Sequence, residues 1–462
     1  MASLEKIYKK SGMSGQELKT SLSLSLVFMF RMFGLFMVLP VMALYADQLE
    51  GSTPLLVGLA IGAYGFSQAL LQIPFGWLSD RIGRKKIIIA GLVLFIAGSL
   101  VAAYADTIQG VILGRILQGC GAIAGAVTAL LADLTREQYR TRSMAIFGMG
   151  IGLSFCLAMM LGPVIAAGWG LSGLFFSNVW LALAGILIVL LVVPSAVTRR
   201  QDLNSSVSQK CVRQILRNGE LLRLMFGIFV LHFIVMGLFV FLPRELESTM
   251  NIPRASHGWV YLVGLLGSFL VIIPFIIYSE KQQRLKQCFI SAVTLLLVSM
   301  VCMALAGNYR WWLVAGLLIF FAGFNFLEAS LPSLASKLSP AGTRGTTMGL
   351  YSTCQFAGAA LGGVLSGLGY EYRGLEGVLV VCAIPTALWW LLSVTMKHPP
   401  YVSSMVMALN PASGGDAGTV SRALAVIPGV EEVTVLGRER TAYLKVNRRT
   451  LDMSALRQYG EC

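Results

Sequence analysis

Ionisable side chains are rare inside the apolar stretches of this 462-residue chain, so the few that occur there could carry chemistry. Arg31, Arg115, His232 and Glu328 each lie within a long apolar run. An ionisable group at membrane depth is costly, and it typically marks a solute or proton path. A carboxylate can take up and release a proton, whereas arginine stays charged. We therefore predict that Glu328 is the proton-carrying residue, if proton coupling exists.

Polar side chains accompany these groups at helical spacing. Asn325 precedes Glu328 by three residues, and Ser352 and Gln355 share one helical stripe in the next apolar run. Such faces line either a cavity or an interhelical hydrogen-bond network. The cavity is favoured for Arg31 and Glu328, and the network for His232. The residues considered as cavity candidates are Arg31, His232, Asn325, Ser352 and Gln355.

The composition indicates a membrane protein. Hydrophobic residues make up 56% of the chain and charged residues 13%, against about 25% charged residues in soluble domains. The mean hydropathy is +0.74. A helix of about 20 apolar residues crosses the bilayer core. A single-span receptor, a secreted domain and an outer-membrane barrel are excluded. The predicted spans are residues 21–45, 55–78, 87–105, 109–132, 143–167, 171–193, 221–242, 257–278, 288–306, 311–335, 346–369 and 375–396.

The loops between these twelve spans alternate in charge. One set is rich in Lys and Arg, and the other contains Asp47, Glu50, Asp106, Glu371 and Glu376. The positive-inside rule assigns the basic set and both termini to the cytoplasm, as expected for a bacterial inner-membrane protein. Thirteen of the fourteen net positive charges lie within the first 400 residues, where orientation explains them, so no nucleic-acid partner is implied.

The two halves of the apolar region repeat each other. GLFMVLP at 34–40 recurs as GLFVFLP at 237–243, and IPF at 73–75 recurs at 273–275. Two parallel six-helix repeats are the arrangement of transporters that move two halves about a midplane site. The predicted domains are a cytoplasmic segment (1–20), a first half (21–193), a cytoplasmic linker (194–220), a second half (221–396), and a linker with a soluble domain (397–462).

The loop after span 2 reads GWLSDRIGRKK at 76–86. It resembles the cytoplasmic loop motif of the major facilitator superfamily at every defined position. The resemblance implies a latch that holds the cytoplasmic side closed, in which Asp80 faces the N-terminus of span 11. A solvated basic loop is the alternative interpretation of the motif. For Asp133, two interpretations stay open: a partner for Arg84 and an ordinary helix-end charge. The predicted latch residues are Gly76, Asp80, Arg81, Gly83, Arg84 and Asp133.

Two further stretches resemble motifs of the same family. LGRILQGCGA at 113–122 resembles its span 4 motif through Arg115, Gln118 and Gly119, for which a proton-path role and structural pairing both remain open. Span 5 resembles an antiporter motif, although Ala158 and the pair Ala166–Ala167 replace its glycines, and close helix packing explains the pattern almost as well. The motif residues in span 5 are Gly148, Gly152, Gly162 and Pro163.

After Pro400 the chain changes to the composition of a small α+β unit. Strands are predicted at 402–409, 430–436 and 441–446, and helices at 419–427 and 452–458. This order resembles the ferredoxin-like heavy-metal-associated domain, but residues 408–415 lack its thiolates, so no metal is expected. The four residues after Gln458 leave little room for a fourth strand. The unit is expected to be regulatory, with an unknown partner.

The predicted fold class is an all-α membrane protein of twelve helices in the major facilitator fold, with a small C-terminal α+β domain. The resemblance implies a proton-coupled efflux antiporter of a small organic solute, acting as a monomer in the lipid bilayer by alternating access. An importer or facilitator of a sugar-like or anionic solute, and a membrane sensor, are alternatives. No phosphate-loop motif is present, which disfavours an ATP-driven pump, and the eight cysteines form no CxxC pair, so no disulfide or zinc framework is expected. The chain is predicted not to be an enzyme and to need no cofactor.

Overall fold

The computed structural model describes residues 13–194, 209–307, 309, 311–340, 343–397, 403–409, 417–436, 441–446 and 450–461. The helices before the tail are α1 (Gly15–Met37), α2 (Leu39–Tyr45), α3 (Pro54–Ile82), α4 (Arg84–Ala103), α5 (Ile108–Cys120), α6 (Ala124–Asp133), α7 (Glu137–Leu191), α8 (Gln209–Leu216), α9 (Gly219–Ser248), α10 (His257–Lys281), α11 (Leu285–Ala304), α12 (Trp311–Leu338) and α13 (Arg344–Val394). We call α1–α7 the first half and α9–α13 the second half.

Ten helical segments of the described chain are long and apolar enough to cross a membrane. Large apolar side chains point outward from them: Trp180, Leu270 and Ile384 are 71%, 78% and 67% exposed. Such exposure would be unfavourable in water, because the apolar area would remain hydrated. In a bilayer the same side chains contact lipid. The fold is therefore that of a mostly helical, multi-pass membrane protein.

The long helix α7 turns back on itself at Gly170. This residue has a φ of 67°, which favours glycine. Ser25 on α1 donates a hydrogen bond to the carbonyl of Ile146 (3.1 Å), while the neighbouring Val27 packs against Gly185. In a straight helix these two α7 residues would stand about 58 Å apart. The two arms of α7 therefore run side by side along α1.

Helix α13 turns back in the same way at Arg373 and Gly374. Gly374 has a φ of 55°, and both residues leave the helical conformation. The hydroxyl of Ser366 lies 3.7 Å from the sulfur of Cys382, whereas a straight helix would separate these residues by about 24 Å. Each long segment therefore consists of two antiparallel arms.

The apolar run at 109–132, predicted as one span, is divided by residues 121–123 into α5 and α6. Here the amides of Ala122 and Ile123 donate to the carbonyls of Cys120 and Gly121, only two residues back. The predicted span corresponds to one apolar segment, Ile108–Asp133, with a local break in its helix at this point. Gly121 packs directly on the backbone of Gly91 in α4, and this close approach accompanies the break.

The two halves meet along two equivalent interfaces. In one, Gly58, Gly62 and Gly65 on α3 lie against the backbone of α13. In the other, Gly258 on α10 lies against the backbone of Met160 on α7. The sequence repeat relates these interfaces, because it pairs span 2 with span 8 and span 5 with span 11. Close backbone approach of this kind requires small residues.

The tail forms a separate α+β unit. Its elements are β1 (Ser403–Leu409), α14 (Ala417–Ala425), β2 (Val430–Leu436), β3 (Thr441–Val446), α15 (Met453–Arg457) and β4 (Gly460–Glu461). The antiparallel sheet has the order β2-β3-β1-β4, and its core includes Met407, Leu424 and Leu444. A fourth strand does form, but it has only two residues. The segment at 410–416, where the thiolate motif would stand, lies outside the described residues.

Candidate functional site

The loop between α3 and α4 brings three charged residues together. Gly83, with a φ of 111°, makes the tight turn, so that Arg84 begins α4 one turn beyond Asp80. Arg84 forms an ion pair with Asp80, with 2.8 Å between Nη1 and Oδ1, and its Nε donates to Asp133 at the end of α6. Arg81 instead stacks on the ring of Trp77, 3.8 Å from its centroid. The latch role of this group stays a prediction.

We call this end of the bundle, which carries the loop at 76–86, the basic end, and several of its glycines have open space beside them. A Cβ placed on Gly76 of α3, or on Gly345 and Gly349 of α13, would meet no atom within 4 Å. Among the described residues, Asp80 has no hydrogen-bond partner on α13. The contact between Asp80 and the start of span 11 stays a prediction, because residues 341–342 and the side chain of Arg344 lie outside the described part of the chain.

The opposite end carries Asp47 and Asp106, and we call it the acidic end. Here polar contacts join the halves. Arg244 on α9 binds Asp47 (2.7 Å) and donates to the carbonyl of Ala43 (2.8 Å). Arg254 donates to the carbonyl of Leu44 (3.1 Å). Sequence reasoning treated these charges only as loop residues. The only visible signal was four arginines in this otherwise acidic loop set, namely Arg244, Arg254, Arg310 and Arg373.

A further contact at the acidic end lies between α13 and α3. Glu371 accepts a hydrogen bond from the backbone amide of Leu55, in the first turn of α3 (3.0 Å). A carboxylate at a helix N-terminus is favourable because it faces unpaired amide groups and the positive end of the helix dipole. We call Asp47, Arg244, Arg254 and Glu371 together the acidic-end clamp.

The glycines of the span 5 motif fall into two groups. Gly162, beside Pro163, packs against the backbone of Met37. A Cβ on Gly148 or Gly152 would meet no atom within 4 Å. These two residues lie toward the basic end of α7, whereas the contact with Gly258 lies further along the helix.

The two arginines inside the first half lie against one aromatic ring. The guanidinium carbons of Arg31 and Arg115 are 5.4 and 5.2 Å from the ring centroid of Tyr64. Arg31 donates to the side-chain oxygen of Gln68 (2.9 Å), and Arg115 donates to that of Gln118 (3.0 Å). We call these five residues the arginine cluster. All five are buried.

Two more contacts hold the arginine cluster in place. Arg115 donates from Nε to the carbonyl of Ala60 (3.3 Å), and the amide of Gln118 donates to Ser99 (2.8 Å). Gly119 lies directly against the backbone of Tyr64, so a side chain there would collide with α3. The span 4 motif therefore joins α3, α4 and α5 through one buried polar network.

In the second half, His232 and Glu328 lie side by side. The Nε2 atom of His232 is 3.9 Å from Oε2 of Glu328 and accepts a hydrogen bond from the amide of Gln355 (2.8 Å). Its Nδ1 lies 3.3 Å from the carbonyl of Ile228. This pattern fits a neutral imidazole that carries its proton on Nδ1. The Glu328 side chain is 38% exposed, although its Oε2 atom is buried and has no hydrogen-bond partner among the described residues.

Not every predicted cavity residue joins this pair. Asn325 donates to the hydroxyl of Ser268 on α10 (2.7 Å) and so links two helices of the second half. Ser352 is half-buried on α13, three residues before Gln355. Among the described residues, no group of three or more His, Cys, Asp or Glu side chains could hold a metal ion.

Comparison with known sequences identifies the family. The profile described as Major Facilitator Superfamily matches residues 24–363 and, in a second overlapping match, residues 245–408. The chain is also 44% identical over 446 residues to the inner membrane transport protein YajR of Escherichia coli (strain K12), covering 96% of this chain and 98% of that protein. The chain belongs to the major facilitator superfamily. It is a membrane transporter and not an enzyme.

Other members of the major facilitator superfamily are more distant. The multidrug resistance protein MdtH of Aeromonas hydrophila is 26% identical over 355 residues, covering 74% of this chain and 86% of that protein. Two solved structures share the fold. A D-xylose-proton symporter superposes with a TM-score of 0.66 at 15% identity, covering 83% of this chain and 97% of its own. The nucleoside transporter NupG superposes with a TM-score of 0.65 at 13% identity, covering 83% of this chain and 100% of its own.

Proposed function

We propose that this transporter exports a small organic solute in exchange for protons. The observation that carries the proposal is the 3.9 Å separation between His232 and Glu328. Glu328 is the one carboxylate placed well inside a predicted span, and an imidazole beside it can share a single proton with it. A potential of 100 mV supplies about 2.3 kcal/mol for each charge that crosses the membrane, so proton entry can drive solute exit.

Alternating access is supported by the asymmetry between the two ends. The acidic-end clamp joins the halves, while a Cβ placed on Gly76, Gly148 or Gly152, toward the basic end, would meet no atom within 4 Å. Under the positive-inside rule this conformation opens toward the cytoplasm. Asp80 would then engage the start of α13 only when the basic end closes. In this interpretation Arg84, which pairs with both Asp80 and Asp133, holds the Asp80 carboxylate in position for this contact.

Export is favoured over import by the resemblance of span 5 to an antiporter motif and by the similarity to MdtH. An importer or facilitator of a sugar-like or anionic solute is the second candidate, which the buried Arg31 favours. A sensor that signals through the tail is the third. The exporter and the importer or facilitator both exchange solute across the membrane, whereas a sensor does not. Proton movement together with the solute occurs only in a proton-coupled transporter.

The proposal also covers the number of spans, the oligomeric state and the orientation of the chain in the membrane. Ten apolar segments, two of which fold back at Gly170 and Gly374, support twelve spans. We propose a monomer in the bacterial inner membrane with both termini in the cytoplasm. The sheet order of the tail supports a ferredoxin-like domain with a regulatory role and no metal.

The test is transport by the purified protein in liposomes. A pH-sensitive dye inside the liposomes reports proton movement as each solute of a metabolite and drug panel is added, and radiolabelled counterflow reports exchange. Proton movement that depends on a solute of the panel supports the antiporter. Exchange without proton movement identifies a facilitator, and the absence of both with every solute favours the sensor.

A further inference from the structure

The first half carries two buried positive charges and no matching negative charge. Arg31 is 1% exposed and Arg115 is fully buried. The six predicted spans of this half, residues 21–45, 55–78, 87–105, 109–132, 143–167 and 171–193, contain no Asp or Glu at all. Among the residues that the structure describes, no carboxylate forms an ion pair with either arginine. A buried charge without a partner is strongly unfavourable.

The donors of these arginines are only partly used. Arg31 has buried Nε and Nη1 atoms without a hydrogen-bond partner, and Arg115 has a buried Nη2 atom in the same condition. The amide oxygens of Gln68 and Gln118 each take one donor, and they are neutral acceptors. A polar network whose role was purely structural would be expected to satisfy these donors. The unused donors indicate that a further acceptor is bound there in another state of the protein.

We propose that the arginine cluster binds an oxyanion, either the carboxylate or the phosphate group of the transported solute. The guanidinium fork matches both groups with paired, charge-assisted hydrogen bonds. An oxyanion between Arg31 and Arg115 would supply the missing acceptors and the missing negative charge together. This inference names the substrate class of the proposed transporter, and so it rests on the proposed function.

The sequence repeat relates the positions of the arginine cluster to those of His232 and Glu328 in the second half. Arg31 and Arg115 lie on spans 1 and 4, while His232 and Glu328 lie on spans 7 and 10, which are their equivalents in the second half. One half therefore contributes positive charge and the other half contributes a proton-binding carboxylate. Binding of an anion to the first half and of a proton to the second half can thus occur at separate positions.

The first experiment measures binding without transport. The thermal unfolding midpoint of the purified full-length protein is followed while sodium benzoate or sodium phosphate is added, with sodium chloride at equal ionic strength as the control. We expect a rise that grows with the logarithm of the oxyanion concentration, because a ligand of the folded state stabilises it. A rise with benzoate alone indicates a carboxylate solute, and one with phosphate alone indicates a phosphate ester. An equal response to all three salts overturns the proposal.

The variant Arg31→Met separates binding from structure. If the charge is uncompensated, its removal raises the midpoint in oxyanion-free buffer and weakens oxyanion binding by roughly tenfold or more. Arg31→Lys keeps the charge, loses the fork and weakens binding less. The control is Arg142→Met, since Arg142 is an exposed arginine that lies near the ring of Tyr139. If Arg31→Met has a lower unfolding midpoint and unchanged oxyanion binding, the arginine cluster is a structural network and the proposal is overturned.

These outcomes are independent of the transport assay. Proton-coupled exchange of an uncharged or cationic solute, without oxyanion binding, would overturn this inference and leave the proposed function standing. Oxyanion binding at the arginine cluster without solute exchange would support this inference and overturn the proposed transport function. If Arg31→Met does not fold, the titration of the unmodified protein and the Arg31→Lys variant decide the question.

Discussion

Arg244 and Asp47 are 197 residues apart in the chain, and yet Nη2 of the arginine lies 2.7 Å from Oδ1 of the aspartate. The two residues belong to different halves. At the other end, and within the part of the chain that the structure describes, Arg84 forms ion pairs with two residues of its own half. Ion pairing therefore joins the halves at the acidic end and stays within one half at the latch. This difference allows the two ends to be tested separately.

The variant Asp47→Asn should increase the population that is open at the acidic end. Its pair with Arg244 is partly exposed, and such pairs contribute about 0.2–1 kcal/mol, which corresponds to a shift of up to about fivefold. Double electron-electron resonance between spin labels on the acidic ends of α3 and α13 measures the distance distribution. Asp106→Asn is the control, because the Asp106 side chain makes no hydrogen bond among the described residues. Identical distributions for Asp47→Asn and the unmodified protein would contradict the clamp.

The variant Asp80→Asn should favour the conformation that is open at the basic end. It removes the carboxylate that we expect to face the start of α13 when this end closes, a contact of about 0.3–1 kcal/mol. Labels on the basic ends of the two halves report the distance. Asp80→Glu keeps the charge and should restore part of the closed population. Unchanged distances in Asp80→Asn would show that Asp80 has no latch role.

The variant Glu328→Gln should abolish proton-driven net transport and retain solute exchange. Glutamine keeps the size of the side chain but cannot take up a proton at neutral pH. Net uptake under a pH gradient and counterflow without one are compared in liposomes. Glu220→Gln removes a carboxylate at the start of α9, where it pairs with Arg223, and should leave both activities unchanged. A normal response of Glu328→Gln to the gradient would place the proton site elsewhere, and Asp133 and Asp47 would be tested next.

A chain that ends at Pro400 should still insert and purify as a folded bundle. The tail has a hydrophobic core of its own, which includes Leu424 and Leu456, and a unit with its own core can fold separately. Size-exclusion chromatography and thermal unfolding of the shortened protein provide the measurement. Complete loss of folded protein would show that the tail supports the bundle.

The last helix of the tail should weaken in acid. Hydrogen bonds from the hydroxyl of Ser454 and from the backbone amide of Ala455 hold the pKa of Asp452 below its ordinary value. The stabilisation is therefore complete above that ordinary value, near about pH 4, and is lost as the pH falls through the lowered pKa. Amide hydrogen exchange in α15 should speed up in that range. Asp452→Asn keeps an N-cap side chain without a charge, so its exchange should change less with pH.

The pair between Asp80 and Arg84 was predictable because its geometry is local, whereas Asp133, which is 49 residues from Arg84, was predicted only as the nearest plausible carboxylate. Asp80, Gly83 and Arg84 lie within one turn and a loop, and a glycine between two helices already indicates a tight turn. The acidic-end clamp was not predictable, since no short-range pattern connects Arg244 with Asp47. The partner of Asn325 was missed for another reason. Its hydrogen bond to Ser268 joins two helices, and the spacing of residues within one helix does not determine which helix packs against it.

The absence of carboxylates from the first-half spans has a consequence for leakage. Two fixed positive charges at membrane depth, Arg31 and Arg115, oppose the entry of any cation into that half. In channels, an arginine placed in this way forms an electrostatic barrier against protons and other cations. When no solute is bound, the same residues would keep the transporter from dissipating the ion gradients of the membrane in which it lies.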